Sequence, residues 1–170
     1  TQEISNVAIR IKLNDRDLET RTVTRLASGE MLIDRYAPRI PRELAAGVYR
    51  VTVNDFLIGT VTVKEVERQM TAPITSVRTN TVIGDQFELV GYDLKPDSIT
   101  LHWRALKETD VDYTLFVHVL DASGRIIAQN DSQPRNGSYP TSLWVKGEYV
   151  SDTILINTRG AMIEVGWYVP

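Results

Sequence analysis

The chain has 170 residues, 42% hydrophobic and 24% charged, with a formal net charge of −3 and no cysteine, a balance that belongs to a folded chain of one large or two small domains. Its basic residues are scattered singly, as at Arg10, Lys12, Arg21, Arg25 and Arg35, so no phosphate-tracking stripe forms and no nucleic-acid partner is expected. The missing cysteines exclude disulfides, thiolate nucleophiles and Cys-ligated zinc; no apolar run is long enough for a transmembrane helix, and the N-terminus lacks the charged and apolar regions of an export signal.

Along the chain the dominant signal is alternation. Val7, Ile9, Ile11 and Leu13 alternate with Ala8, Arg10 and Lys12, which predicts a strand with one buried face. A turn signal follows at Ser28-Gly29, and Arg42 to Ala46 has room for a single helical or 3₁₀ turn. Alternation returns with Tyr49, Val51 and Val53, then with Val61 and Val63. It stops at "ERQMTAP", Glu67 to Pro73, where a proline closes a polar stretch and a domain boundary is expected. Beyond the turn signals Gly84-Asp85 and Pro96-Asp97, two strands are predicted. One carries Ile99, Leu101, Trp103 and Ala105 on its apolar face; the other carries Tyr113, Leu115, Val117 and Val119. Asp121 to Gly124 reads as the hairpin turn into Arg125 to Gln129, and Asn136-Gly137 and Lys146-Gly147 mark further turns. Many short strands with regular turns and no helical stripe predict a sandwich or barrel.

The chain also echoes itself. "GEMLIDRY" (Gly29 to Tyr36) and "GEYVSDTI" (Gly147 to Ile154) share Gly-Glu, an aliphatic residue and an Asp at matched places. Each is followed by a similar tail, "AAGVYRVTV" in the first half and "RGAMIEVGWY" in the second. Such an echo predicts two copies of one supersecondary unit. The copies are out of phase: the first continues through "NDFLIGTVTVKEV" after its tail and the second does not. Either the halves share strands, or an edge near the C-terminus takes a strand from elsewhere.

From Gly84 to Asp152 the phrases "GDQFELVGYDL", "ITLHWRAL", "DYTLFVHVLDASGRIIAQNDSQP", "NGSYPTSLW" and "GEYVSD" resemble the β-rich region beside the membrane-embedded part of bacterial glycosyltransferases of the protein-mannosyltransferase type. The resemblance covers about the last 95 residues. It implies an immunoglobulin-like sandwich, a bacterial extracytoplasmic address (periplasm or cell surface) and an accessory role. In that family the sugar-transfer chemistry belongs to the membrane-embedded part, so no catalytic residue carries over. The second copy stops at "VGWYVP" where the family pattern runs on through another hairpin, which implies a piece of a longer protein.

Candidate sites are few. "QPRNGSYPTSLWVKGEYVSD", Gln133 to Asp152, brings Tyr139 and Trp144 into a loop rich in Pro and Gly. The two rings either plug a crossing between sheets or form a platform on which a sugar stacks. If the strands around Ile99–Ala105 and Tyr113–Leu120 form a hairpin, His102 and Arg104 join Phe116 and His118 in a surface patch for a partner. The two histidines lack a third ligand for a metal. Asp15 and Asp17, Asp110 and Asp112 sit at strand ends without a phosphate cradle, and Asp121, Asn130 and Asp131 supply too few oxygens for calcium. No Ser lies in a nucleophile elbow, and Asn130-Asp-Ser132 and Asn136-Gly-Ser138 match the glycosylation triplet at a high chance rate.

The sequence therefore predicts an all-β, immunoglobulin-like β-sandwich, in two units or one composite. Residues 1–70 form a partial β-sandwich repeat and 74–170 a fuller one. The expected function is a non-catalytic module without cofactor or metal that binds polysaccharide or a neighbouring protein domain, or acts as a spacer. The alternative is a self-associating subunit of a surface layer or filament, built by strand complementation.

Overall fold

The computed structural model describes residues 4–27, 29–31, 33, 35, 37–156 and 159–170. Two compact units divide the chain, Thr1–Val66 and Glu67–Pro170. The division falls at the head of the expected boundary stretch. Residues 67–73 open the second unit rather than link the two, because Arg68 and Gln69 bond to Glu148 and Tyr149 within it.

The first unit is one antiparallel sheet of β1 (Ile4–Leu13), β2 (Arg16–Leu26), β3 (Gly47–Val53) and β4 (Phe56–Val63), in the order β2-β1-β3-β4. Asn14, and Asn54 with Asp55, take positive φ at the two hairpin turns, a conformation that Asn and Asp tolerate better than other residues. The same asparagines tie the hairpins together. Asn14 donates its N–H to the Arg50 carbonyl and accepts the Arg50 N–H on its side chain, and Asn54 does the same with Arg10. Ile11 and Leu13 are buried, whereas Val48, Phe56, Leu57 and Ile58 are each more than 60% exposed.

In the second unit, β5 (Val77–Ile83), β6 (Phe87–Leu94), β7 (Ser98–Ala105) and β10 (Tyr149–Leu155) form one sheet in the order β10-β7-β6-β5. The other, β11-β8-β9, takes β8 (Thr114–Leu120), β9 (Ile126–Ser132) and β11 (Met162–Tyr168). Alternation places Leu101 and Trp103 of β7, Leu115, Val117 and Val119 of β8, and Val150 and Ile154 of β10 in a single core. Trp167 lies 4.6 Å from Phe87 and 4.9 Å from Trp103, centroid to centroid, which sets β11 opposite β6 and β7. The all-β sandwich is as the alternation predicts. Counted along the unit, its strands run 1-2-3-6 in one sheet and 5-4-7 in the other; the immunoglobulin order is 1-2-5-4 with 3-6-7. The two share a two-sheet architecture and differ in strand order.

The sequence echo is a repeated turn. Gly29 and Gly147 have φ of +84° and +88°. The N–H of each following glutamate, Glu30 or Glu148, donates to the carbonyl three residues back, and its carboxylate accepts the N–H of that same residue, Ala27 or Val145. Ser28 of the turn signal, and Leu32, Asp34 and Tyr36 of the first echo, lie outside the described residues. The repetition extends to the sheets, since β2-β1-β3 and β9-β8-β11 are each a hairpin whose first strand takes a third strand antiparallel.

One glycine is required by close approach. A Cβ at Gly91 of β6 would overlap the Val77 carbonyl and the Thr75 side chain, next to the register shift between β5 and β6. Gly91→Ala must therefore part these strands, and we expect a loss of about 1–3 kcal/mol in urea unfolding of the second unit. An unchanged midpoint would show that β5 yields freely.

Candidate functional site

Tyr139 and Trp144 are 6% and 1% exposed and belong to the core. Of the two readings of this loop, this burial fits the plug and not the sugar platform, since a buried ring has no open face to offer a ligand. The Trp144 ring meets Phe87 edge to face at 5.5 Å, and its indole N–H donates to the Tyr139 carbonyl. The Tyr139 hydroxyl donates to Glu148 Oε1 at 2.6 Å, while Glu148 Oε2 accepts from Arg68 Nη1 at 2.6 Å and from the Val145 N–H at 3.0 Å. Arg68 also donates to the Leu143 carbonyl. Burial, and then the adjacent Glu148 carboxylate, push the Tyr139 phenol above its ordinary pKa. The loop is thus held by a buried ionic knot.

The expected patch of His102, Arg104, Phe116 and His118 does not assemble. Its premise was a hairpin of β7 and β8, but these strands lie in different sheets, β7 between β6 and β10, and β8 between β9 and β11. His102 and Arg104 share the outer face of the first sheet; Phe116 and His118 share that of the second. His102 is 6% exposed. Its Nε2 is 2.8 Å from Asp93 Oδ2 and its Nδ1 2.8 Å from Ser151 Oγ, while Asp93 Oδ1 accepts from the Ser76 hydroxyl and N–H. The Ser76 hydroxyl, and next His102, hold the Asp93 carboxyl well below the usual carboxylate range.

Ser151, His102 and Asp93 repeat the order of a nucleophile, base and orienting acid, but here they are cross-strand neighbours. Ser151 is the register partner of His102 within an unbroken run of β10–β7 pairs. It therefore stands on a flat strand, not on the sharp turn that presents a nucleophile. The row continues as Thr100–Thr153 and Glu88–Arg104, the latter with its guanidinium over the Tyr149 ring. These are the polar pairs that stitch one face of a sheet.

On the other sheet His118 Nε2 lies 3.3 Å from Asp131 and its Nδ1 3.8 Å from Glu164, with the Phe116 ring 4.8 Å away and packed over Gly166. Asp121 accepts from Ser123 and from the Arg125 N–H to form the predicted hairpin turn. Asp131 is engaged with His118 and Tyr168, and Asn130 with Ser132. Among the described residues no three His, Asp or Glu converge as a metal-holding group.

An apolar cleft of about 740 Å³ opens between the sheets of the second unit. Leu89 and Leu101 line it from β6 and β7, Val119 from β8, and Ile163 and Val165 from β11, with Lys95 and Arg159 also in its wall. No cross-strand polar pair described above reaches it. Such a lining suits an apolar chain better than a sugar, whose hydroxyls would be left without partners. The sequence did not single out this cleft, nor Arg68 and Asp93, and it marked Glu148 and Asp152 only as matched places of the echo, because the role of each depends on contacts between segments distant in the chain. Compared with protein-family models, curated proteins and solved structures, the chain matches none.

The buried knot makes an asymmetric prediction. Arg68→Met strands the Glu148 carboxylate, whose side chain is 2% exposed, and should cost about 3–5 kcal/mol in urea unfolding. Glu148→Gln leaves Arg68, which reaches solvent, and should cost less, about 1–3 kcal/mol. Equal losses would refute a carboxylate-centred knot.

Two carboxyls give opposite pH dependences. The folded pKa of Asp93 is depressed, so its stabilisation is present above the unfolded value near ~3.9 and fades as pH falls through the folded one. Burial pushes Asp152 up against the N–H donors of Arg135 and Thr153, so its contribution falls as pH rises from the unfolded value through the folded one. Urea midpoints from about pH 2 to 7 should flatten on the acid side in Asp93→Asn, and Asp152→Asn should abolish the opposing slope.

Proposed function

We propose that the chain is a non-catalytic accessory module of a bacterial extracytoplasmic protein and that it binds polypeptide. The observation that carries this reading is the apolar cleft, which opens along β11, an edge strand with backbone groups available for pairing. Polysaccharide is the weaker ligand because Tyr139 and Trp144 are buried. The address, and an association with membrane glycosyltransferases, rest on the resemblance carried by Gly84 to Asp152. Among the described residues no helix is long and apolar enough to cross a membrane. The non-catalytic reading draws on the polar side chains, which are spent on one another. A subunit of a layer or filament would use the same edge, and would reveal itself by concentration-dependent assembly.

Calorimetric titration with peptides of alternating apolar residues should give binding with a negative heat-capacity change, the signature of apolar burial. Cell-surface polysaccharides should give no heat. Saturable polysaccharide binding without peptide binding would overturn the polypeptide reading. Hydrolysis of an activated ester that disappears in Ser151→Ala would overturn the non-catalytic one.

A further inference from the structure

We propose that the second unit has a vacant strand position beside β11, and that it takes an antiparallel segment with the alternating chemistry of β4 from a neighbouring polypeptide. This rests on the polypeptide-binding reading above and specifies its site, direction and side-chain pattern.

Four observations converge on that position. The first is the repetition within the chain. The order β2-β1-β3 of the first unit recurs as β9-β8-β11 in the second, and in each the same Gly-Glu turn lies after the hairpin and before the third strand. Exposure alternates alike along Val48, Tyr49, Arg50 and Val51 of β3 and along Met162, Ile163, Glu164 and Val165 of β11. In the first unit, however, β3 lies between β1 and β4, whereas among the described residues β11 pairs with β8 alone. The place that β4 fills in one sheet is open in the other.

The second is the face across the sandwich. Stacking sets β11 opposite β6 and β7, and Ile154 of β10 lines a recess with Val117 and Ala128 of β8 and β9. Neither contact sets a strand of the second sheet over β5, whose Ile83 alone among its described residues packs against the core. Its residues are exposed on both faces from Val77 to Val82, although β5 belongs to the four-stranded sheet. The cleft is walled by Leu89 and Tyr92 of β6, Leu101 of β7 and Ile163 and Val165 of β11, and so lies between these strands, next to the β11 edge.

The third is the edge itself. Pairing at the β2, β4, β5 and β9 edges is interrupted by register shifts, and β10 is bridged by Gln69 at Tyr149. The β11–β8 ladder runs unshifted over seven pairs, Met162 to Tyr168, with Glu164 the one charge along β11. A regular edge with so little charge lacks the devices that discourage strand addition.

The fourth is charge. An antiparallel segment would run toward the Met162 end of β11, where Lys95 and Arg159 line the cleft and neither shows an ion pair among the described residues. In β4 the paired segment ends at Val63, opposite Gly47 at the start of β3. Lys64 and Glu65 follow, so it is the second residue beyond the strand, not the first, that is the acid to meet this basic pair.

The probe is an end-blocked peptide of residues 55–65, DFLIGTVTVKE, added to the full chain and followed by amide hydrogen exchange. The expected result is slowed exchange along β11 with a saturable change in Trp167 fluorescence. A peptide carrying V61P and V63P, which lacks two of the N–H groups that β4 turns toward β3, should bind at least about tenfold more weakly. Protection elsewhere would overturn the assigned position while leaving a polypeptide-binding module. No binding of this or any alternating peptide would sink both readings. Protection of β11 that grows with protein concentration without peptide would give the position to a second copy and overturn the assignment to a foreign strand.

Discussion

The second unit is organised around the buried carboxylate of Glu148, 1% exposed at the turn where the chain returns from the β9–β10 crossing to the first sheet. A carboxylate there is tolerable only with its oxygens fully hydrogen-bonded. It gathers Arg68 from the opening segment, Tyr139 from the middle of the crossing and the Val145 N–H from its own turn. Those bonds fix the depth of Tyr139, whose carbonyl holds the Trp144 indole, and Trp144 packs on Phe87 and Trp167. One charge thus connects the start of the unit, its longest crossing and its aromatic core.

This arrangement explains how far the sequence could be read. Period-two alternation located Ile99–Ala105 and Tyr113–Leu120 because each has one face toward a single core. The same signal could not pair them. Two adjacent amphipathic strands read alike whether they form a hairpin or cross between sheets, and the segment from Leu106 to Tyr113 crosses. β2, "RDLETRTVTRL", was missed because its charges mask any apolar period. Tyr139 and Trp144 looked exceptional in a loop and are ordinary as core; their depth depends on Glu148, which looked like a surface acid after a glycine. The Gly-Glu echo was the informative signal, because a positive-φ glycine before a carboxylate that caps its own turn is a local device.

The two outer faces of the sandwich are treated differently. Cross-strand bonds tie the outer face of the first sheet into the row of Asp93, His102 and Ser151, flanked by Thr100–Thr153 and Glu88–Arg104. Each such pair is worth only a few tenths to one kcal/mol, roughly, yet together they fix the register of β6, β7 and β10. The second sheet has longer contacts, with His118 at 3.3 and 3.8 Å from its carboxylates. The strand addition we infer falls on this second sheet, whose edge remains regular, while the first is locked by its own polar ladder.

A strand added at β11 would bring pairing groups and alternating side chains, but it would first have to be ordered. Fixing each residue opposes binding by about 1–2 kcal/mol, and its apolar side chains and ladder bonds must exceed that sum before any affinity appears. For a free segment the net is small. For one tethered in the same assembly, effective concentration replaces much of the association cost. The physical balance therefore favours a partner held nearby, and a neighbouring domain meets that condition more readily than a diffusing ligand. The apolar lining of Leu89, Leu101 and Val165 then serves less to discriminate among ligands than to make the completed sandwich continuous.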